Sequence, residues 1–169
     1  KSIPTEDGAP GERNTLRVVS LEHKLGIHGS PTCVMEFDGA QGWLVGEEHN
    51  GMACMFTMMN NARLGVGMQG IGVAEAAYQH ALAYALDRTQ GNSTLPGGRG
   101  TIVDHADVRR MLTSMKADIF AARAIGTACA QAIDMATATG EKTWKARAAL
   151  LTPIAKAFGS EVGMDVAEQ

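Results

Sequence analysis

The period of the hydrophobic positions changes near residue 50. Before it, Leu16 to Leu21 (LRVVSL) and Thr32 to Phe37 (TCVMEF) alternate and are rich in β-branched residues, with Gly26, Gly29 and Pro31 between them. That is the pattern of two short strands joined by a turn. A third run, Trp43 to Val45, lies between Gly42 and Gly46 and reads as a further short strand. Two or three strands bury too little apolar surface to stand alone, so this segment needs a second layer to pack on.

From Met52 the period lengthens to that of a helix. Met55, Met58 or Met59, Ala62, Val66, Ile71, Val73, Ala77, Leu82 and Ala85 predict one long helix closing around Tyr84, Asp87 and Arg88. Gly65, Gly67, Gly70 and Gly72 fall inside it. Each weakens an isolated helix by roughly 1 kcal/mol relative to Ala, so their density implies close packing against another helix. Gly91 to Thr101 (GNSTLPGGRGT) is a loop by its Pro96 and glycines.

A second helix follows, with Asp104 as N-cap and Asp107 favouring the positive end of its dipole. Its apolar stripe runs Val108, Met111, Leu112, Met115, Ile119, Ala122, Ile125, Cys129 and Ile133, and Gly140 closes it. Trp144 to Leu151 begins a third helix, which Pro153 either restarts or kinks. Ile154, Phe158, Val162 and Val166 are its expected buried stripe. The first residue is not Met and no stop signal precedes Gln169, so both ends read as cut from something larger.

The predicted fold class is mainly α: long antiparallel helices of an incomplete four-helix bundle, preceded by a short β segment, with the boundary between 1–50 and 51–169. Helix faces left unfilled are expected to be apolar.

Composition narrows the function classes. A chain of 169 residues with 45% hydrophobic content supports one core. A net charge of −3 gives no general reason to expect a nucleic-acid partner, and Arg109, Arg110 and Lys116 are interrupted by Asp107 and Asp118, so no salt-sensitive duplex binding is expected. No apolar run approaches the ~20 residues of a membrane span. No basic-then-apolar leader opens the chain. Cys33, Cys54 and Cys129 form no Cys-x-x-Cys pair, which suggests neither a disulfide framework nor a zinc site and makes a reducing cytoplasm the expectation. The five histidines lack metal-ligand spacing, so no metal site is expected. No Gly-x-Ser-x-Gly element supports a hydrolase.

Gly65, Gly67 and Gly70 spell G-x-G-x-x-G. They lie deep in a helical period rather than between a strand and a helix, so helix packing accounts for them better than a dinucleotide loop does. Met52, Met55, Met58 and Met59 suit an adaptable apolar pocket, though composition favours plain core packing. Asn60 and Arg63, three apart, share a helix face and can present an amide and a guanidinium to one ligand. Arg88, at the far end of the same helix, suits either the helix dipole or a phosphate contact.

In order and spacing these segments resemble the acyl-CoA dehydrogenase family over essentially the whole chain. Glu22 to Phe37 (EHKLGIHGSPTCVMEF) resembles the E-K-x-G-x-x-x-S-x-T turn and strand of its middle β-domain, and Gly46 to Gly51 the bridge into its C-terminal helical domain. Asn60 to Val66 (NNARLGV) resembles the (D/N)-x-x-R-(I/L) opening of the first long helix, Tyr84 to Gly91 (YALDRTQG) its Y-A-x-x-R-x-x-F-G ending, and Ala155 to Phe158 (AKAF) the A-K-x-F of a later helix. MFTMMNNARL and RTQG look most like the branch of the family that includes the 3-methylmercaptopropionyl-CoA dehydrogenases.

The resemblance implies an FAD enzyme that removes hydrogens from the α and β carbons of an acyl-CoA thioester. It implies Asn60 and Arg63 as substrate-binding residues on CoA. Arg88, with Gln90, is implied as cofactor-binding toward the FAD of a neighbouring subunit, hence a homo-oligomer, dimer or tetramer. An electron-transfer acceptor is a further implied partner. RTQG is one residue shorter than R-x-x-F-G and lacks its aromatic, with Gln90 in its place. The family's catalytic glutamate is expected beyond Gln169, so no catalytic residue falls within this chain, which is incomplete for the reaction as it stands. The alternative of another class is a non-catalytic helical oligomerisation or assembly module.

Overall fold

The computed structural model describes residues 2–93 and 95–169; Lys1 of the β segment and Thr94 of the loop lie outside the described residues. The chain divides into two compact units, Lys1–Gly51 and Met52–Gln169.

The first unit is built of two antiparallel hairpins. β1 (Ser2–Pro4) pairs with β2 (Pro10–Arg13) across a turn in which Gly8 takes φ 80°, a value glycine adopts without steric cost. β3 (Leu16–Leu21) pairs with β4 (Cys33–Phe37) from Leu16 opposite Phe37 to Leu21 opposite Cys33, with a register shift between Val18 and Ser20. Buried Asn14 ties the base of this hairpin: its Nδ2 donates to the Gln41 carbonyl at 2.7 Å, and its Oδ1 accepts from the Thr15 and Gln41 amides. At the other end Lys24 Nζ donates to the carbonyls of Ile27 and Ser30, which explains this lysine as a turn clamp.

One sequence expectation fails here, and one strand pair was not anticipated. Trp43 to Val45 forms no strand, because a three-residue run between glycines finds no neighbour to pair with. β1 and β2, which carry prolines and no alternation, were not foreseen from the pattern.

The second unit holds three long helices: α1 (Gly51–Asp87), α2 (Ala106–Thr139) and α3 (Lys142–Glu168). Ile71 and Ala74 of α1, Leu112, Met115, Ile119 and Ala122 of α2, and Val162 and Val166 of α3 form its core. Successive helices run antiparallel. Glu75 meets Arg123 at 2.7 Å while Tyr78 meets Lys116 nearer the start of α2; likewise the buried Cys129 Sγ of α2 lies 3.6 Å from the Thr152 hydroxyl of α3.

α1 and α3 therefore run parallel, and they touch backbone to backbone. A Cβ added at Gly67 would lie 2.5 Å from the Ala155 carbonyl oxygen, and one at Gly159 would lie 2.6 Å from that of Gly67. One turn on, Gly70 faces Gly159, and a Cβ at Gly163 would meet the Gly70 Cα at 2.9 Å. Glycine packing thus accounts for Gly67 and Gly70. Gly65 and Gly72 have nothing within 4 Å of an added Cβ.

The α2 stripe and the Gly140 stop match their prediction, with Gly140 at φ 70° and its amide bonded to Ala136. Asp104 is not the N-cap of α2. A 3-10 turn, Ile102–Asp104, intervenes, so His105 takes the cap position and the Asp104 carboxylate turns back to the loop. Pro153 lies inside one continuous α3, preceded by Thr152, whose hydroxyl donates to the Ala148 carbonyl. Ile154 is exposed, and Thr152, Ala155 and Gly159 take the buried stripe instead. Among the described residues no helix is long and apolar enough to cross a membrane.

Candidate functional site

Two places on α1 carry the candidate residues. At the first, Asn60 and Arg63 are brought together: Arg63 Nη1 donates to Asn60 Oδ1 at 3.1 Å. The guanidinium also lies 5.9 Å from the centre of the Phe56 ring, one helical turn before Asn60. Arg63 is half-buried and Asn60 exposed, so the pair forms a preset donor edge whose outer face is open. Met52, Met55, Met58 and Met59 are exposed rather than buried in a core. Asn60 also borders a cleft of about 720 Å³ between α1, the end of α2 and the start of α3, with Asn61, Lys145 and Thr137 among its polar walls and Ile133, Ala148 and Ala149 among its apolar ones.

At the second, α1 ends at Asp87 and the chain passes through a short clasp. The Arg88 carbonyl accepts from the Ile102 amide at 2.8 Å, Thr89 bridges Thr101, and the Gln90 amide donates to the Gly100 carbonyl at 3.0 Å. His105 Nε2 lies 2.9 Å from the Gln90 carbonyl. Arg88 and Gln90 are exposed, and the Arg88 guanidinium makes no hydrogen bond or ion pair among the described residues. Under the clasp sits buried Asp104. Hydrogen bonds from Ser93, helped by the Gly100 and Arg99 amides and the nearby Arg109 charge, hold its carboxyl below the ordinary value despite burial. Asp104 and His105 were not foreseen as parts of this site, because an Asp ahead of a helical period reads as a cap.

The two places are far apart. Arg63 and Arg88 are 25 positions apart along α1 and its exit, roughly 37 Å at 1.5 Å per residue. The structure unites Asn60 with Arg63 and Arg88 with Gln90, but not the two pairs with each other.

The long helices that carry both places match a helical domain already known. Residues 49–169 match the family model described as the acyl-CoA dehydrogenase C-terminal domain, and the chain belongs to the acyl-CoA dehydrogenase family. It is 45% identical to 3-methylmercaptopropionyl-CoA dehydrogenase of Ruegeria pomeroyi over 99% of this chain and 29% of that protein. To the broad-specificity linear acyl-CoA dehydrogenase FadE5 of Mycobacterium tuberculosis it is 40% identical, over 92% of this chain and 28% of that protein. Its fold is similar to that of butyryl-CoA dehydrogenase from Megasphaera elsdenii, with a TM-score of 0.71 at 26% identity over 90% of this chain and 36% of that one. The chain thus spans under a third of the length of these curated relatives.

Proposed function

We propose that this chain is part of an FAD-dependent enzyme that oxidises an acyl-CoA thioester between its α and β carbons, acting in the cytoplasm as a homo-oligomer. The observation that carries the reading is the Asn60–Arg63 pair, preset at 3.1 Å within a chain of this family. Arg63 offers its remaining N–H donors to a phosphate or pantetheine carbonyl of CoA, and Asn60 holds the guanidinium in place while adding an amide donor. Prior fixing of the pair lowers the entropy cost of binding.

Arg88, exposed and without a partner among the described residues, suits the diphosphate of FAD, and Gln90 beside it adds a neutral donor. The flavin supplies the hydride acceptor, and an external electron carrier must then reoxidise it. Because Arg63 and Arg88 stand so far apart on one helix, each serves a different active site of the oligomer. The α-proton base lies outside this chain. The domain assignment follows: 1–50 as the end of a middle β-domain and 51–169 as part of the helical domain.

The test is the visible flavin spectrum of the full-length polypeptide before and after anaerobic addition of short acyl-CoAs. Bleaching is expected. A polypeptide that holds no flavin supports the second reading, an assembly module, which the exposed Phe120, Val73 and Leu86 on the helices favour.

A further inference from the structure

We infer that Asp104 and His105 are positioning residues that fix Arg88 and Gln90 for the flavin diphosphate; this rests on the proposed role of Arg88. Neither residue contacts a ligand in this scheme. The Arg88 amide makes the last ladder bond of α1, to the Tyr84 carbonyl at 2.8 Å, but its carbonyl and all of Thr89 and Gln90 lie beyond the ladder, and their geometry is set by the returning segment 100–102. That segment is set in turn by Asp104. The 7% exposed carboxylate accepts from the Gly100 amide at 3.0 Å through Oδ2, the same oxygen that would lie 2.5 Å from a Cβ at Gly98. The Ser93 hydroxyl, which also bonds this carboxylate, would stand closer still to that Cβ, so the loop folds tightly over Ser93 and Asp104 together.

The carboxylate is itself held from below. Arg109 Nη1 donates to the carbonyls of Val103 at 3.2 Å and Asp104 at 2.5 Å, which fixes the 3-10 turn carrying Asp104. His105, at the start of α2, closes the clasp from the other side through the Gln90 carbonyl. A carbonyl oxygen can only accept, so Nε2–H is the donor in this contact. Two buried or half-buried side chains of α2 and its leading turn thus dictate where the free guanidinium at the end of α1 is presented.

The test uses the full-length polypeptide stripped of flavin, with Arg88→Ala, Asp104→Asn, His105→Ala and His105→Gln variants. Asp104→Asn and His105→Ala are expected to raise the FAD dissociation constant about tenfold each. The KM for acyl-CoA should stay within about twofold, because Asn60 and Arg63 lie at the far end of α1. Amide hydrogen exchange at 88–90 should quicken in both, and His105→Gln, which restores a donor, should recover the affinity. Adding Arg88→Ala to Asp104→Asn should cost no more than Arg88→Ala alone.

If Arg88→Ala weakens FAD binding while His105→Ala and a folded Asp104→Asn leave it unchanged, the positioning role is wrong and the reading of Arg88 stands. If Arg88→Ala itself leaves FAD affinity intact, that reading fails and the positioning role falls with it. Should Asp104→Asn not fold, His105→Ala, which keeps the buried carboxylate, decides the matter by the same criterion.

Discussion

The two halves of α1 are made of similar residues and do opposite things. Gly51 to Val66 contains no buried residue although it carries Met52, Met55, Phe56, Met58 and Met59. Gly67 to Asp87 contains every buried residue of the helix, and two of its contact residues, Gly67 and Gly70, have no side chain at all. The large apolar side chains of the first half are thus held out of this unit's core, while the tightest packing of the second is made by bare backbone. The first half is a presentation surface and the second is a joint.

Breaking the joint should have the largest effect. Gly159→Val places a branched side chain against the Gly67 backbone, and a backbone neighbour cannot swing aside as a flexible side chain can. The expected loss of unfolding free energy is about 3 kcal/mol or more, the upper part of the over-packing range, measured by urea denaturation. On the presentation surface, Arg63→Ala in the full-length polypeptide should raise the KM for acyl-CoA about tenfold. Its stability should stay within about 0.5 kcal/mol of wild type, as for substitutions away from a core; an unchanged KM would sink the CoA role of the pair.

A smaller change sharpens the contrast within the glycines. Gly72→Ala meets no atom within 4 Å and removes backbone entropy from the unfolded chain, so a gain of roughly 0.5–1 kcal/mol is expected where its neighbour Gly70 tolerates nothing. The smallest effect is local. Because the Asp104 carboxyl is held below its ordinary value, chiefly by the Ser93 hydrogen bond, its contribution is complete above that value and is lost as pH falls through the lowered one. Amide protection in the loop after α1, taken relative to the intrinsic exchange rate at each pH, should therefore fall as pH drops below about 4. Asp104→Asn should abolish that response and leave untouched the separate acid response of the β1–β2 turn, where the Asp7 carboxyl is likewise lowered, first by Thr5.

The same contrast explains what was legible in the sequence. α2 was readable because its buried positions are large and apolar at helical spacing and its end is a left-handed glycine. The stripe of α1 was readable only in its second part, where Ile71, Ala77, Leu82 and Ala85 pack in or against the core and the glycines announced a close helix contact; Met55, Val66 and Val73 carry the period yet stand exposed. Ile154 misled in the same way, its place in α3 being taken by Thr152, Ala155 and Gly159. Asn60 and Arg63 were legible as a pair because three residues of helix fix their separation before any tertiary contact forms. Asp104 and His105 were not, because their partners lie back along an irregular loop, Gly100 and Ser93 for Asp104 and Gln90 for His105, where no period fixes who meets whom.

The glycine seam between α1 and α3 also bears on heredity. Every single-base change in a glycine codon that alters the residue introduces a Cβ, and at Gly67, Gly70, Gly159 and Gly163 each such Cβ meets main-chain atoms of the facing helix at 2.9 Å or less. These four positions therefore have no neutral neighbour in the genetic code.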